Sequence, residues 1–145
     1  MKGDVVPDPH HVTRLCGESH VREDGTIAAT AFKLRPGESY LSVNRLEFPA
    51  LPNRELGLAE VRRVLASKRT IGRASRLAVM NVGHVRNVVR QESSAHTELA
   101  VRHEPEIGPT GPHDASHSGI YGIPEDDIAI PELISGAVAE VAPAH

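Results

Sequence analysis

The residues best suited to chemistry lie in a long segment rich in glycine and proline, from Glu104 to Gly122. Its potential proton-transfer and hydrogen-bonding residues are His113, Asp114, Ser116, His117 and Ser118. We select His117 as the candidate acid or base, because an imidazole titrates near neutral pH. Glycines in such a segment let the backbone approach a ligand closely. An ordered surface loop, whose Ser and Asp side chains stabilise local turns, is the alternative.

Arg14 and His11 complete the candidate catalytic set. They lie together in a short β-prone segment, and His103 is a further histidine able to join them. Arginine stabilises negative charge and histidine moves a proton, so this combination suits transfer or hydrolysis at a phosphoryl or ribosyl centre. The hypothesis requires that the segment around Arg14 and the segment 118–121 are neighbours in one sheet, with Arg14 and His117 facing a common cleft.

Basic residues are concentrated in the centre of the chain. Nine basic and two acidic residues lie between Arg54 and Arg90, whereas nine acidic residues and one basic residue lie between Glu98 and Glu140. The net charge of −3 therefore conceals two opposed poles. The candidate anion-binding residues of the basic pole are Arg62, Arg63, Arg69 and Arg73.

The basic pole admits several interpretations. Arginine makes bidentate contacts with phosphate, so the pole fits a nucleic acid, or alternatively an acidic protein. It also fits a solvated surface that the acidic C-terminal region neutralises. Two copies of the chain that meet through opposite poles would form a homo-oligomer, which is a further possibility.

Two spaced pairs of soft ligands raise the question of zinc. Cys16 and His20, and likewise His113 and His117, are four residues apart, and four such donors suit tetrahedral zinc. The tight cysteine spacing of structural zinc sites is absent, so we predict no metal ligands and no cofactor, and a zinc-stabilised domain stays as an alternative. The sequence also lacks the HExxH, P-loop and GxSxG motifs.

Several segments together resemble a set of short bacterial proteins of uncharacterised function. They are HxxR at 11–14, LSVNxLE at 41–47 and SHSGI at 116–120. The resemblance implies no activity, cofactor or fold, so no functional residue is transferred from it.

Hydrophobic spacing predicts the elements that must position these residues. Asn53 is the expected N-cap of an amphipathic helix over 55–69, and valines at helical spacing predict a second helix over 82–91. A third helix starts after Pro124, with a kink or a restart at Pro131. Short strands are predicted at 11–16, 26–34, 39–43, 77–80, 97–101 and 118–121, of which 26–34 and 39–43 form a hairpin.

Length and composition set the class of protein. A chain of 145 residues suits one domain, and with only 3% aromatic residues its core must be aliphatic. We predict a single α+β domain over 10–141, with a mixed or antiparallel sheet and about three helices, between flexible ends at 1–9 and 142–145. We expect a cytoplasmic protein without membrane association, because no long apolar stretch or secretory signal occurs and cysteine is limited to Cys16.

The sequence leaves three functions open, and whether the chain is an enzyme is not decided. The first is an interaction or regulatory module whose arginine-rich face binds an anionic partner. The second is a small enzyme that acts on a nucleotide-like or phosphate-bearing ligand at a His/Arg site. The third is the zinc-stabilised domain.

Overall fold

A six-stranded antiparallel sheet forms the centre of the domain in the computed structural model, which describes residues 1–107 and 113–145. The strands are β1 (His11–Cys16), β2 (Leu41–Arg45), β3 (Arg76–Asn81), β4 (Ala100–His103), β5 (His117–Tyr121) and β6 (Glu140–Pro143). Their order in the sheet is β4-β5-β2-β1-β3-β6. The helices are α1 (Arg54–Lys68), α2 (Val82–Glu92) and α3 (Ala129–Gly136). The predicted α+β class, with a single small domain and three helices, is confirmed.

One face of the sheet is covered by α1. The helix begins where the Asn53 side chain accepts a hydrogen bond from the Leu56 N–H at 3.0 Å, as predicted. Its apolar side buries Leu58, Val61 and Leu65 in a cluster with residues of β3 and β6. The C-terminal end of α1 lies beside β1, β2 and β5, because Leu65 and Lys68 line a cleft together with residues of these strands.

The other face carries the larger core. Here α2 and α3 pack on the sheet together with a short 3₁₀ helix, Ala29–Phe32. Val85, Val89 and Ile134 are buried in this core, and Phe32 is fully buried among the aliphatic side chains. Each face of the sheet thus has its own apolar cluster.

The register of the central strands aligns three polar residues. Thr13 of β1 lies opposite Asn44 of β2, and Asn44 lies opposite His117 of β5. Directly opposed residues of antiparallel strands point to the same face. This polar row therefore lies on the α1 face, next to the end of the helix.

The structure corrects the predicted hairpin. Residues 26–34 form no strand: Ile27 makes an isolated bridge with Val21, and Ala29–Phe32 is a 3₁₀ helix. Ala29, Ala31 and Phe32 all face the core, which a strand with alternating sides does not allow. The strand predicted at 39–43 is displaced to Leu41–Arg45, and it pairs with β1 and β5.

The third helix also differs from the prediction. It begins at Ala129, later than Pro124, so Pro131 lies in its first turn, where a missing N–H costs no helical hydrogen bond. No kink is needed there. We did not predict β6, which follows α3 and pairs with β3.

Both ends of the chain, which we predicted to be flexible, contact the rest of the domain. The backbone N–H groups of Gly3 and Val6 donate to the carbonyls of His103 and Val101 at 2.7 and 2.9 Å, and Val6 is fully buried. At the other end, Ala142 and Ala144 are buried against the α1 cluster. Pairing with β4 satisfies backbone groups of the N-terminal segment, and pairing with β3 satisfies those of β6.

Within the described ranges, no helix combines the length and the apolar character that a membrane crossing needs.

Candidate functional site

An open cleft of about 350 Å³ lies on the α1 face, between the end of α1 and strands β1, β2 and β5. This volume is at the lower end of the range typical of small-molecule sites. Its lining is largely polar and consists of Thr13, Arg14, Leu15, Arg35, Tyr40, Ser42, Asn44, Leu65, Lys68, Arg69, Glu106 and His117. The cleft thus contains both Arg14 and His117 from our candidate catalytic set.

Arg14 reaches the cleft through a gap between two strands. β1 and β2 pair only at Val12 and Thr13. The Arg14 guanidinium makes its hydrogen bonds just after the last paired residue, where the two strands are no longer joined. It donates to the carbonyl oxygens of Ala31 and Ser42, each at 2.9 Å. Two neutral acceptors hold the group in place but leave its positive charge unneutralised.

Two more arginines line the same end of the cleft. Arg35 precedes β2 and Arg69 follows α1, and both residues are exposed. Burial lowers the pKa of the Arg14 guanidinium; attraction to Cys16 and Glu38 opposes this effect, and the smaller repulsion from Arg35 and Arg69 adds to it. A bound anion would relieve that repulsion, so this end of the cleft is suited to an anionic group.

His117 presents one ring nitrogen to the cleft. Its Nδ1 lies 2.8 Å from the carbonyl oxygen of Glu104. A carbonyl oxygen only accepts, so Nδ1 carries the hydrogen and Nε2 of the neutral ring has a free lone pair. This tautomer makes Nε2 available as a proton acceptor.

A carboxylate faces the free nitrogen of His117. Oε1 of Glu106 lies 4.0 Å from Nε2, too far for a direct hydrogen bond. Two acceptors at this separation suit a donor with two hydrogens placed between them, such as a water molecule. The pair therefore provides a position for a nucleophilic water.

Lys68 and Asp114 form a buried ion pair behind the polar row. Lys68 Nζ donates to Asp114 Oδ2 at 2.6 Å and to Glu106 Oε1 at 2.5 Å. Asn44 Nδ2 donates to both oxygens of Asp114 at 2.9 Å, and the Asp114 side chain is fully buried. The network fixes Asn44 and Glu106 relative to the strands.

The protonation of this network follows from its hydrogen bonds. Burial opposes ionisation of Asp114, but hydrogen bonds from Lys68 and Asn44 outweigh it, so the pKa of the carboxyl lies below its ordinary value. Burial likewise opposes the charge on Lys68, but Asp114 and Glu106 outweigh it and raise the pKa of the ammonium group. Both groups are therefore charged at neutral pH.

Tyr40 forms an aromatic wall of the cleft. Its ring makes an edge contact with the His117 ring, with centroids 5.9 Å apart, and covers Gly119. A Cβ atom on Gly119 would lie 2.3 Å from Cδ1 of Tyr40, so only glycine leaves room for the ring.

We expect Gly119→Ala to displace Tyr40 and to lower the free energy of unfolding by about 1–3 kcal/mol, as other overpacking substitutions do. Thermal unfolding and tyrosine fluorescence measure the two effects. Gly17→Ala is the matched control, because Gly17 has a negative φ and no atom within 4 Å of the added Cβ. Equal melting temperatures for the two variants would contradict this prediction.

The remaining candidate catalytic residue lies elsewhere. His11 is not among the residues that line the cleft, and its Nδ1 lies 2.6 Å from Oε2 of Glu47. His103 is buried beside Phe48, with ring centroids 4.8 Å apart. The strands also differ from our expectation, because β2 separates β1 from β5.

The four predicted anion-binding arginines do not act as one group. Only Arg69 lines the cleft. Arg62 donates to the Pro143 carbonyl at 2.8 Å, and Arg63 pairs with Glu60 at 2.5 Å. Arg73 is exposed on the loop after α1.

The potential zinc ligands do not come together. Cys16 is buried in the core on the opposite face of the sheet from His117, and burial raises the pKa of its thiol to about 11. Residues 1–107 and 113–145 contain no group of three or more His, Cys, Asp or Glu side chains placed to hold a metal ion. Part of the predicted site loop, 108–112, lies outside the described residues.

Sequence reasoning missed several residues of the site. In the sequence, Lys68 stands out only as part of the basic pole. Tyr40 falls in the strand predicted at 39–43, and Asn44 follows that strand, neither with a predicted role. The alternation of Tyr40, Ser42 and Asn44 along β2 places all three on one face, and this was the signal available.

Comparison with protein-family models, curated proteins and solved structures finds no match to this chain.

Proposed function

We propose that the chain is a small enzyme that binds a phosphate ester in this cleft and hydrolyses it with His117 as the general base. The observation that carries the proposal is the convergence of Arg14, Arg35 and Arg69 with His117 in one cleft. The arginines supply the positive charge that an anionic ligand needs, and the free Nε2 supplies the proton acceptor.

The reaction follows from these positions. A water molecule between His117 Nε2 and Glu106 attacks phosphorus, and Nε2 takes one of its protons. The new P–O bond replaces the bond to the leaving oxygen, which is protonated by solvent. The three guanidinium groups stabilise the charge that accumulates on the phosphoryl oxygens.

Glu106 and Lys68 position the reacting groups in this scheme. Lys68 donates to the Glu106 carboxylate at 2.5 Å and holds it in place, so that it accepts a hydrogen bond from the water. No metal ion takes part in the proposed steps.

The first function suggested by the sequence, an interaction module based on the whole basic pole, has less support. Four of its nine basic residues pair with carboxylates within the chain, and these are Arg54, Arg63, Lys68 and Arg86. Internal pairing reduces the positive charge available to an outside partner. The unpaired arginines at the cleft favour a localised anion site instead.

Arg69→Ala tests the binding step. Because Arg69 is exposed at the cleft, its removal should leave the fold intact and weaken binding of AMP about 10-fold, which corresponds to the loss of one charge-assisted contact. Calorimetric titration measures the affinity, and NMR chemical shifts locate the binding site on Arg14 and His117.

Arg90→Ala is the control for this experiment. Arg90 is exposed on α2, on the opposite face of the sheet, and its substitution should leave AMP affinity unchanged. AMP binding that is absent, or that perturbs residues remote from the cleft, would refute the proposed site.

A further inference from the structure

Asn44 lines the cleft although only 4% of its surface is exposed. Its Nδ2 donates to both oxygens of Asp114 and to Oγ of Ser116, each at 2.9 Å. The Asp114 carboxylate is ionised and only accepts hydrogen bonds, so the amide atom that faces it must be Nδ2. These contacts fix the orientation of the amide and turn Oδ1 away from Asp114.

Oδ1 of Asn44 is an acceptor without a donor in the described part of the chain. The hydrogen bonds of the Asn44 side chain to residues of 1–107 and 113–145 all come from Nδ2. Over the same ranges, Nδ1 of His103 is the one side-chain polar atom that is both shut off from solvent and unpaired, so Oδ1 is open to the cleft. A rigid acceptor in such a position favours a ligand that brings a hydrogen-bond donor, because a ligand without one would exclude water and leave Oδ1 unpaired.

The phosphate group and this donor would bind at separate positions along β2. The Ser42 carbonyl accepts from the Arg14 guanidinium at 2.9 Å, so Ser42 lies at the arginine end of the cleft. Asn44 lies opposite His117, two residues further along the strand, which is about 7 Å at the rise of a β-strand. A phosphate and a hydroxyl group separated by two or three carbon atoms span this distance when the hydrogen bond to Oδ1 is included.

We infer that the substrate of the proposed enzyme is the phosphate ester of a polyhydroxylated alcohol, a polyol or a sugar, and that Oδ1 of Asn44 accepts a hydrogen bond from one of its hydroxyl groups. Hydrolysis of such an ester by water releases inorganic phosphate and the free alcohol. This inference rests on the proposed function and names the substrate class of the same site.

The lining of the cleft favours a neutral hydroxyl group over other chemistry. The Tyr40 ring already packs against Tyr121, with centroids 5.0 Å apart, so it is not available to stack on an aryl ring or a base. The residues that line the cleft carry four positive charges and one negative charge, which disfavours an ammonium group as the donor. Glu38 and Asp114, which lie beside the lining, reduce this excess but do not reverse it.

Two phosphate esters of equal length test the inference on the unsubstituted protein. Glycerol 1-phosphate and propyl phosphate differ only in two hydroxyl groups on the alcohol. Calorimetric titration measures their affinities, and phosphate release measures kcat/KM. We expect both esters to bind at the cleft and the glycerol ester to be preferred by about 10-fold or more, because propyl phosphate leaves Oδ1 of Asn44 without a donor.

Asn44→Ala tests whether the preference depends on this residue. The substitution also removes a donor from Asp114 and lowers stability, so the readout is the ratio of kcat/KM for the two esters, which a purely structural role does not change. We expect the ratio to fall to about 1. Asn87→Ala is the control and should keep the full preference, because Asn87 is exposed on α2, on the opposite face of the sheet. If Asn44→Ala does not fold, the comparison of esters on the unsubstituted protein decides the inference.

The outcomes distinguish the inference from the proposed function. Binding of AMP or propyl phosphate at the cleft, with no preference for glycerol 1-phosphate, overturns the inference alone. A preference that persists in Asn44→Ala also overturns it, because another group then recognises the hydroxyl. Tighter binding of 3-aminopropyl phosphate than of glycerol 1-phosphate would show selection of a cation and would overturn it as well. If no phosphate ester binds or is hydrolysed, the proposed function itself is wrong.

Discussion

Asp114→Ala should destabilise the domain by about 3–5 kcal/mol, the usual cost of removing one partner of a buried ion pair. The substitution leaves the Lys68 ammonium with Glu106 alone and removes the acceptor that Asn44 Nδ2 contacts twice at 2.9 Å. Urea unfolding followed by circular dichroism measures the loss. The large effect arises because both Lys68 and Asn44 lose a partner that water cannot fully replace.

The exposed pair of Glu60 and Arg63 is the control for this prediction. Glu60→Gln breaks an ion pair of similar length, 2.5 Å, but both groups are solvated and the unfolding free energy should hardly change. If Asp114→Ala unfolds no more easily than Glu60→Gln, the buried network is not a source of stability.

The Asp114 carboxylate should also make the free energy of unfolding depend on pH. The pKa of Asp114 is lower in the folded than in the unfolded protein, so its stabilising effect is full above the unfolded value, about 3.9. The effect is lost as pH falls through the folded value. Unfolding free energies measured from pH 7 down to pH 2 should therefore decline less steeply for Asp114→Asn than for the unsubstituted protein.

His117→Ala should lower kcat for phosphate-ester hydrolysis by about 10²–10⁴, the range typical of a lost general base. KM should change little, because Arg14, Arg35 and Arg69 still hold the phosphate group. Initial rates with bis(p-nitrophenyl) phosphate measure both constants. The limb of the pH-rate profile that reports deprotonation of the base should disappear in the variant, and added imidazole should restore part of the rate.

The matched control is His84→Ala, since His84 is exposed on α2 and lies away from the cleft. Its kcat should equal that of the unsubstituted protein. A His117→Ala variant that hydrolyses the ester at the full rate would exclude His117 as the base.

Local signals predicted much of the fold. Asn53 and the spacing of Leu58, Val61 and Leu65 located α1 to within one residue at each end, because capping and amphipathicity act within a few turns. The strand predicted over 26–34 is absent, because Ala29, Ala31 and Phe32 are buried in the core as part of a 3₁₀ helix. That outcome depends on contacts with α3, which local sequence does not describe.

The site was predictable in residue type but not in assembly. The chemistry of Arg14 and His117 identifies them as candidates. They share one cleft because β2 lies between their strands and pairs with both, which the sequence does not indicate. Lys68 reaches the site only because α1 ends beside the central strands. Long-range pairing of this kind leaves no periodic trace in the sequence.

Both outer strands of the sheet are in part covered by other residues of the chain. Residues 3–6 occupy the free edge of β4 through hydrogen bonds to Val101 and His103, and the Arg62 guanidinium occupies the Pro143 carbonyl on β6. Proline also lacks the N–H that strand addition requires. The N-terminal segment therefore protects the β4 edge against edge-to-edge aggregation, and shortening this segment would expose a template for fibril-like association.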